Sequence, residues 1–337
     1  MLAAFITGLS GLTLSPNERA FLSASRPAGV ILFARNCDTP EQVRRLVGEA
    51  KSAIGDDRVL VLIDQEGGRV QRLRPPHWRS LPPGAVYAHM FARNQEYALN
   101  AAREISRLTA NDLRALGINC NCAPVLDVPV PGSHDIIGDR AFGATPAQVA
   151  ALGWAVASGL MAGGVLPVMK HIPGHGRANA DSHLELPVVR TPLDELRATD
   201  FEAFRLLRDL PAAMTAHVVY SAIDPAAPAS TSQRVTADII RGHIGFDGLL
   251  MSDDLSMKAL SGTISSRAEA VLTSGSDLAL HCNGDGAEMD QVAGAVPILQ
   301  GVPLKRFERA YAITRQHQPF SLAAAEARLA EVLRVMA

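Results

Sequence analysis

Residues 29–64 read GVILFARNCDTPEQVRRLVGEAKSAIGDDRVLVLID. Two short runs in this stretch, GVILFA and VLVLID, are apolar on both faces, as strands buried in a parallel sheet must be. Between them, Thr39-Pro40-Glu41-Gln42 places a capping hydroxyl, a proline at the first helical position and an amide in the first turn. Val43, Leu46, Val47 and Ala50 then fall on one face at i, i+3, i+4 and i+7. The stretch is one strand–helix–strand unit. Because two parallel strands need a crossover, the helix must pack back on the sheet.

The same alternation runs outward in both directions. Further apolar runs are AAFITGLSG, INCNCAPVLDV, VLPVMKH, AAMTAHVV, GLLMSDD and SDLALHC. Ser15-Pro16-Asn17-Glu18 and Thr145-Pro146-Ala147-Gln148 repeat the helix-start pattern, and Thr191-Pro192-Leu193-Asp194 is a near variant. Eight strands, each answered by a helix with no low-complexity linker, predict a single-domain (β/α)8 TIM barrel over residues 1–337. The last helical stretch, about 322–336, is expected to pack outside it. A doubly wound open sheet would carry a glycine fingerprint in its first turn, and TGLSGLTLSP is not one. The segment from Gly67 to Asn94 is long for a routine connection and reads as a functional loop.

Composition narrows the function classes. The chain is 47% hydrophobic and 20% charged, with formal net charge −2. Without a Lys/Arg block it has no footprint for nucleic acid or an anionic membrane. No run approaches the roughly 18 apolar residues of a membrane span. The apolar N-terminus lacks a basic leader region and reads as a first core strand, not a secretion signal. Cys37, Cys120, Cys122 and Cys282 do not form a disulfide framework, which with the preceding points predicts a cytoplasmic protein.

In a barrel, chemistry sits where strands end and loops begin. The predicted strand ends carry Asp64, Asp127, Lys170 with His171, His217, Asp253 with Asp254, and His281. Charges facing one space need each other or a polar ligand. Carboxylates accept from sugar hydroxyls, and Lys170, Arg72 and Arg140 donate to them.

Residues 170–187, KHIPGHGRANADSHLELP, hold three of the chain's 10 histidines. His171 and His175 have the i, i+4 spacing of helical zinc motifs, but Pro173 and Gly174 break a helix there. No metal and no cofactor are expected. Asp181 and His183 are two apart, so an extended chain projects them to one side, where the carboxylate can orient the imidazole. His183 then reads as a proton donor and acceptor. Asp253, ending an apolar strand, reads as a carboxylate nucleophile, with Asp254 supporting the loop. A carboxylate nucleophile with a separate proton shuttle is the machinery of a retaining glycosidase, although a histidine shuttle departs from the usual second carboxylic acid.

Taken together, KHIPGHGRANADSHLELP, GLLMSDDLSM, LIDQEGGRVQRLR, GVILFARN, DIIGDRAFG and HVVYSAIDPAAPASTS closely resemble the glycoside hydrolase family 3 β-N-acetylhexosaminidases, in particular the single-domain bacterial type. The matching blocks run from about Gly29 to Met257. The resemblance implies Asp253 as nucleophile, His183 as acid/base and Asp181 as its partner, with Asp64, Arg72, Arg140, Lys170 and His171 binding a terminal N-acetylglucosamine. It implies an exo-acting enzyme of cell-wall recycling whose substrate is a small muropeptide-type molecule, GlcNAc-1,6-anhydroMurNAc with or without peptide. No obligate protein partner is expected. Ile172 stands where the family commonly has Phe, and the second domain of other family branches is absent from the pattern.

Two rival readings use the same residues. A β-N-acetylglucosaminide phosphorylase fits because an imidazole does not repel incoming phosphate as a carboxylate would. A non-catalytic sugar-binding barrel would bind without turnover.

Overall fold

The computed structural model of the chain describes residues 1–178 and 185–336. Eight strands close into a parallel barrel: β1 (Ala3–Gly8), β2 (Pro27–Leu32), β3 (Leu60–Ile63), β4 (Cys120–Asn121), β5 (Leu166–Ile172), β6 (Ala212–Thr215), β7 (Leu249–Asp254) and β8 (Leu278–His281). Each pairs with its successor, and β8 returns to β1 in the register Phe5↔Ala279, Ile6↔Leu280, Thr7↔His281. The expected (β/α)8 architecture is the observed one.

Helix starts follow local chemistry. Ser15 accepts from the Glu18 amide at 3.2 Å, and the Glu18 carboxylate accepts from the Ser15 amide at 3.0 Å, a complete capping box for the helix Pro16–Ser25. Thr39 and Thr145 cap the helices Pro40–Ile54 and Pro146–Ala162 by accepting from the Gln42 and Gln148 amides. Val43, Leu46, Val47 and Ala50 are buried against the sheet; a large apolar side chain so placed contributes about 1.5–3 kcal/mol. Thr191 does not cap. The helix Leu193–Ala198 starts from Pro192, without a side-chain hydrogen bond, and runs for less than two turns. The other three helices begin at the proline and this one begins a residue after it, which leaves Thr191 one step too far back to cap.

The run INCNCAPVLDV forms only two residues of regular ladder, because Pro124 has no amide to donate. Side chains take over. Asn119 Oδ1 accepts from the Val61 amide at 2.7 Å, and Asn121 Oδ1 accepts from the Gln65 amide at 3.0 Å. The alternation Asn-Cys-Asn-Cys thus stitches β4 to β3 with its amides and buries its thiols. All four cysteines are free.

The segment after β3 is not irregular. Gln65–Gly67 and Val70–Gln71 form an antiparallel ribbon, and Gly84–Arg93 is a helix. Gln65 and Gln71 tie the ribbon down by accepting the Leu73 and Leu81 amides, both at 3.0 Å. Gly67 has φ +110°, and a Cβ there would stand 2.3 Å from the Pro82 carbonyl oxygen, so only glycine fits. The helix Leu322–Met336 lies on the helix Gln95–Ala115, burying Ala325, Leu329 and Val332, with Arg328 paired to Glu104 at 2.9 Å.

Candidate active site

A cavity of about 480 Å³ opens at the C-terminal ends of the barrel strands. Asp64 at the end of β3, Lys170 and His171 on β5, Asp253 on β7, and Arg72 and Arg140 from loops all line it. The structure therefore brings together the five expected binding residues and the expected nucleophile.

The wall is an ion network. Lys170 Nζ donates to Asp64 Oδ1 at 2.8 Å and stands 2.6 Å from Glu66 Oε1. Arg72 donates to Asp64 Oδ2 at 3.1 Å. Arg140 meets Glu66 at two points, Nε to Oε2 and Nη2 to Oε1, both 2.9 Å. Within this network three cations face two carboxylates, so it carries one net positive charge. Burial alone would raise the Asp64 carboxyl, but Lys170 and Arg72 outweigh it and hold Asp64 far below the ordinary carboxylate range. Burial likewise opposes the charge on Lys170, and Asp64 with Glu66 more than restores it. The network is fully ionised at neutral pH and offers fixed donors and acceptors to a hydroxyl-rich ligand.

Glu66 was not legible as a site residue. Its signal was the spacing: it lies two residues after Asp64, on the same side of an extended ribbon. The competing reading, an ordinary acidic loop residue, is what sequence alone favours.

Beneath the cavity floor, Asp127 is fully buried. It accepts from His171 Nδ1 at 2.7 Å and from the His175 amide at 2.6 Å. Burial pushes its carboxyl up, but His171 outweighs that and holds it down at about 2. Asp127 thus orients His171 and does not face the ligand. His175 packs on His171 with ring centroids 5.6 Å apart. Burial and the neighbouring His171 lower its pKa to about 4, so it is neutral at pH 7. Gly176 allows the closeness of this loop: a Cβ there would lie 2.0 Å from the Val128 carbonyl oxygen.

Asp253 is half-buried, and its Oδ1 accepts from the Asp254 amide at 2.8 Å. Asp254 takes the loop-supporting part: its Oδ1 accepts from the Ser256 and Cys282 amides, both at 3.0 Å, and its other oxygen accepts from the Ser256 hydroxyl. Besides Asp127, two strand-end groups do not converge on the cavity. His281 is buried and bonds Glu288 of the helix Gly286–Ala295 at 2.9 Å. His217 is buried against the Asp254 carbonyl at the end of β7. Barrel strands alternate inward and outward, and one residue of register error sends a side chain to the other face. Asp181 and His183 lie outside the described residues.

A strand-end carboxylate thus shares one cavity with an ionised wall at the mouth of a closed parallel barrel. The family described as the glycosyl hydrolase family 3 N terminal domain matches residues 7–313. The chain belongs to glycosyl hydrolase family 3. A β-hexosaminidase of Alkalilimnicola ehrlichii is 41% identical over 287 residues, covering 84% of this chain and 81% of the relative. A β-hexosaminidase of Methylococcus capsulatus is 43% identical over 279 residues, covering 82% and 81%. NagZ from Neisseria gonorrhoeae, solved in complex with N-trifluoroacetyl-D-glucosamine, superposes with a TM-score of 0.87 at 32% identity over 98% of each chain. As a family 3 glycoside hydrolase of NagZ-like architecture, the chain carries a charged cavity of small-molecule size at its strand ends. Among the described residues, no group of three or more His, Cys, Asp or Glu is placed to hold a metal ion, and no helix is long and apolar enough to cross a membrane.

Proposed function

We propose that this family 3 enzyme is a retaining exo-β-N-acetylglucosaminidase that removes terminal GlcNAc from GlcNAc-1,6-anhydroMurNAc, with or without peptide, in cytoplasmic cell-wall recycling. The observation that carries the reading is Asp253 in one cavity with the network of Asp64, Glu66, Arg72, Arg140 and Lys170. The β-hexosaminidase relatives and the glucosamine derivative bound by the gonococcal NagZ support the sugar class.

The chemistry runs in two displacements. His183, with Asp181 beside it, protonates the glycosidic oxygen while Asp253 attacks the anomeric carbon; the C–O bond to the leaving sugar breaks and a glycosyl ester forms. His183, now neutral, takes a proton from water, which attacks the same carbon and releases Asp253. The parts of His183 and Asp181 rest on the D-S-H spacing and the family motif. The wall residues hold the ring hydroxyls through both steps, which fixes the anomeric carbon against Asp253.

The test is hydrolysis of an aryl β-N-acetylglucosaminide in phosphate-free buffer with excess chelator, beside the matching β-glucoside, with the first-formed sugar anomer followed by NMR. Turnover of the acetamido sugar with the β-anomer appearing first is expected. An α-anomer first would remove the covalent mechanism, and a requirement for phosphate would make the enzyme a phosphorylase. Release of GlcNAc from purified GlcNAc-1,6-anhydroMurNAc tests the natural substrate; turnover of the aryl sugar alone would overturn that assignment.

A further inference from the structure

His217 follows β6 and is fully buried. It lines no part of the sugar cavity, yet both its nitrogens are engaged. Nε2 is 3.0 Å from the backbone carbonyl oxygen of Asp254, and Nδ1 is 2.7 Å from the Ser230 hydroxyl. A carbonyl oxygen only accepts, so Nε2 must carry the proton. In the neutral ring Nδ1 then accepts, and Ser230 donates. Ser230 is itself held, since its carbonyl accepts from the Ser274 hydroxyl at 2.9 Å.

The carbonyl that His217 grips belongs to the residue directly after Asp253. The Asp254 amide donates to Asp253 Oδ1, and the Asp254 carboxylate is tied to the Ser256 and Cys282 amides. Asp254 is therefore clamped at its amide, its side chain and its carbonyl: Cys282, just after β8, holds the side chain, and His217, just after β6, holds the carbonyl. We propose that His217 is a positioning residue for the Asp253 carboxylate, locked by Ser230 as the neutral Nε2–H tautomer and acting through the Asp254 carbonyl.

Neutrality suits the place. Asp253, Asp254 and His171 are the charged or titratable groups near the ring, and burial, the strongest influence, lowers the pKa of His217 against the pull of the two carboxylates. A cation there would compete with the sugar wall for Asp253. The clamp's catalytic meaning rests on the reading of Asp253 as the nucleophile; the tautomer itself does not.

The experiment has two arms that separate these. Two-bond ¹H–¹⁵N correlation spectra of the wild-type protein, with His217 assigned by comparison with His217→Gln, are expected to show a neutral Nε2–H ring between about pH 7 and pH 9. A cationic ring or the Nδ1–H tautomer in that range overturns the lock, whatever the enzyme's substrate. In the second arm, Gln can place its amide nitrogen where Nε2 stood, and Asn cannot. His217→Gln is expected to keep kcat within about tenfold of wild type on an aryl β-N-acetylglucosaminide, and His217→Asn to lose about 100-fold with KM little changed. Equal losses in the two variants, or a loss confined to KM, overturn the positioning role. Absence of wild-type turnover on every β-N-acetylhexosaminide would instead remove the nucleophile reading, and with it the clamp's catalytic part.

Discussion

Glu66 and Arg140 meet at two points, Nε to Oε2 and Nη2 to Oε1, each at 2.9 Å, with side chains only 8% and 10% exposed. Lys170 adds a third contact to the same carboxylate at 2.6 Å. Both oxygens of Glu66 thus accept from the wall's cations, Oε1 from two of them and Oε2 from one. Its part is to set the separation of Arg140 and Lys170.

Glu66→Gln keeps the shape and removes the charge, turning an amide N–H toward a cation. Breaking one partner of a buried ion pair costs about 3–5 kcal/mol, so the variant is expected to unfold at lower urea and to lose at least about tenfold in kcat/KM. Steady-state kinetics beside urea unfolding check both. Unchanged kcat/KM would mean that Arg140 and Lys170 hold the sugar without Glu66.

Asp253→Ala is expected to abolish turnover while the circular dichroism spectrum stays that of the wild type. Near-normal rates in this variant would end the nucleophile assignment.

His183→Ala is expected to slow the natural disaccharide far more than an aryl glycoside with a good leaving group, because the latter needs little protonation. Equal losses on the two substrates would deny His183 an acid role. Asp181→Ala should move the limb of the pH–rate profile set by the proton donor to lower pH, since a lost carboxylate neighbour lowers an imidazole's pKa. A profile that does not move would count against the pair.

Asp127 predicts an acid-side loss of stability. Its folded-state pKa, about 2, lies below the ordinary 3.8, so the stabilisation is complete above the ordinary value and disappears as the pH falls toward about 2. For this fully buried group the shift corresponds to about 2 kcal/mol. Urea unfolding of wild type and Asp127→Asn at pH 6 and pH 3 measures it: the wild type should lose more stability than the variant on going to pH 3. Equal losses would place the acid sensitivity elsewhere.

What the sequence determined alone was the barrel and the positions of its strand ends. Buried strands, capping hydroxyls and helix faces are local signals, legible within a few residues, and Ser15, Thr39 and Thr145 cap their helices as read. Asp64, Lys170, His171 and Asp253 were legible for the same reason, since a polar residue ending an apolar run in a closed barrel has few places to face. Tertiary structure decided who pairs with whom. Glu66 joins Arg140 across 74 positions, and Lys170 joins Asp64 across 106; no local period encodes such a choice. It also turned His281 to Glu288, because one step of pleat decides which face receives a side chain, and it set His217 against the Asp254 carbonyl. A charge in a barrel mouth finds its partner through the closure of the sheet, and that closure exists only once the whole chain has folded.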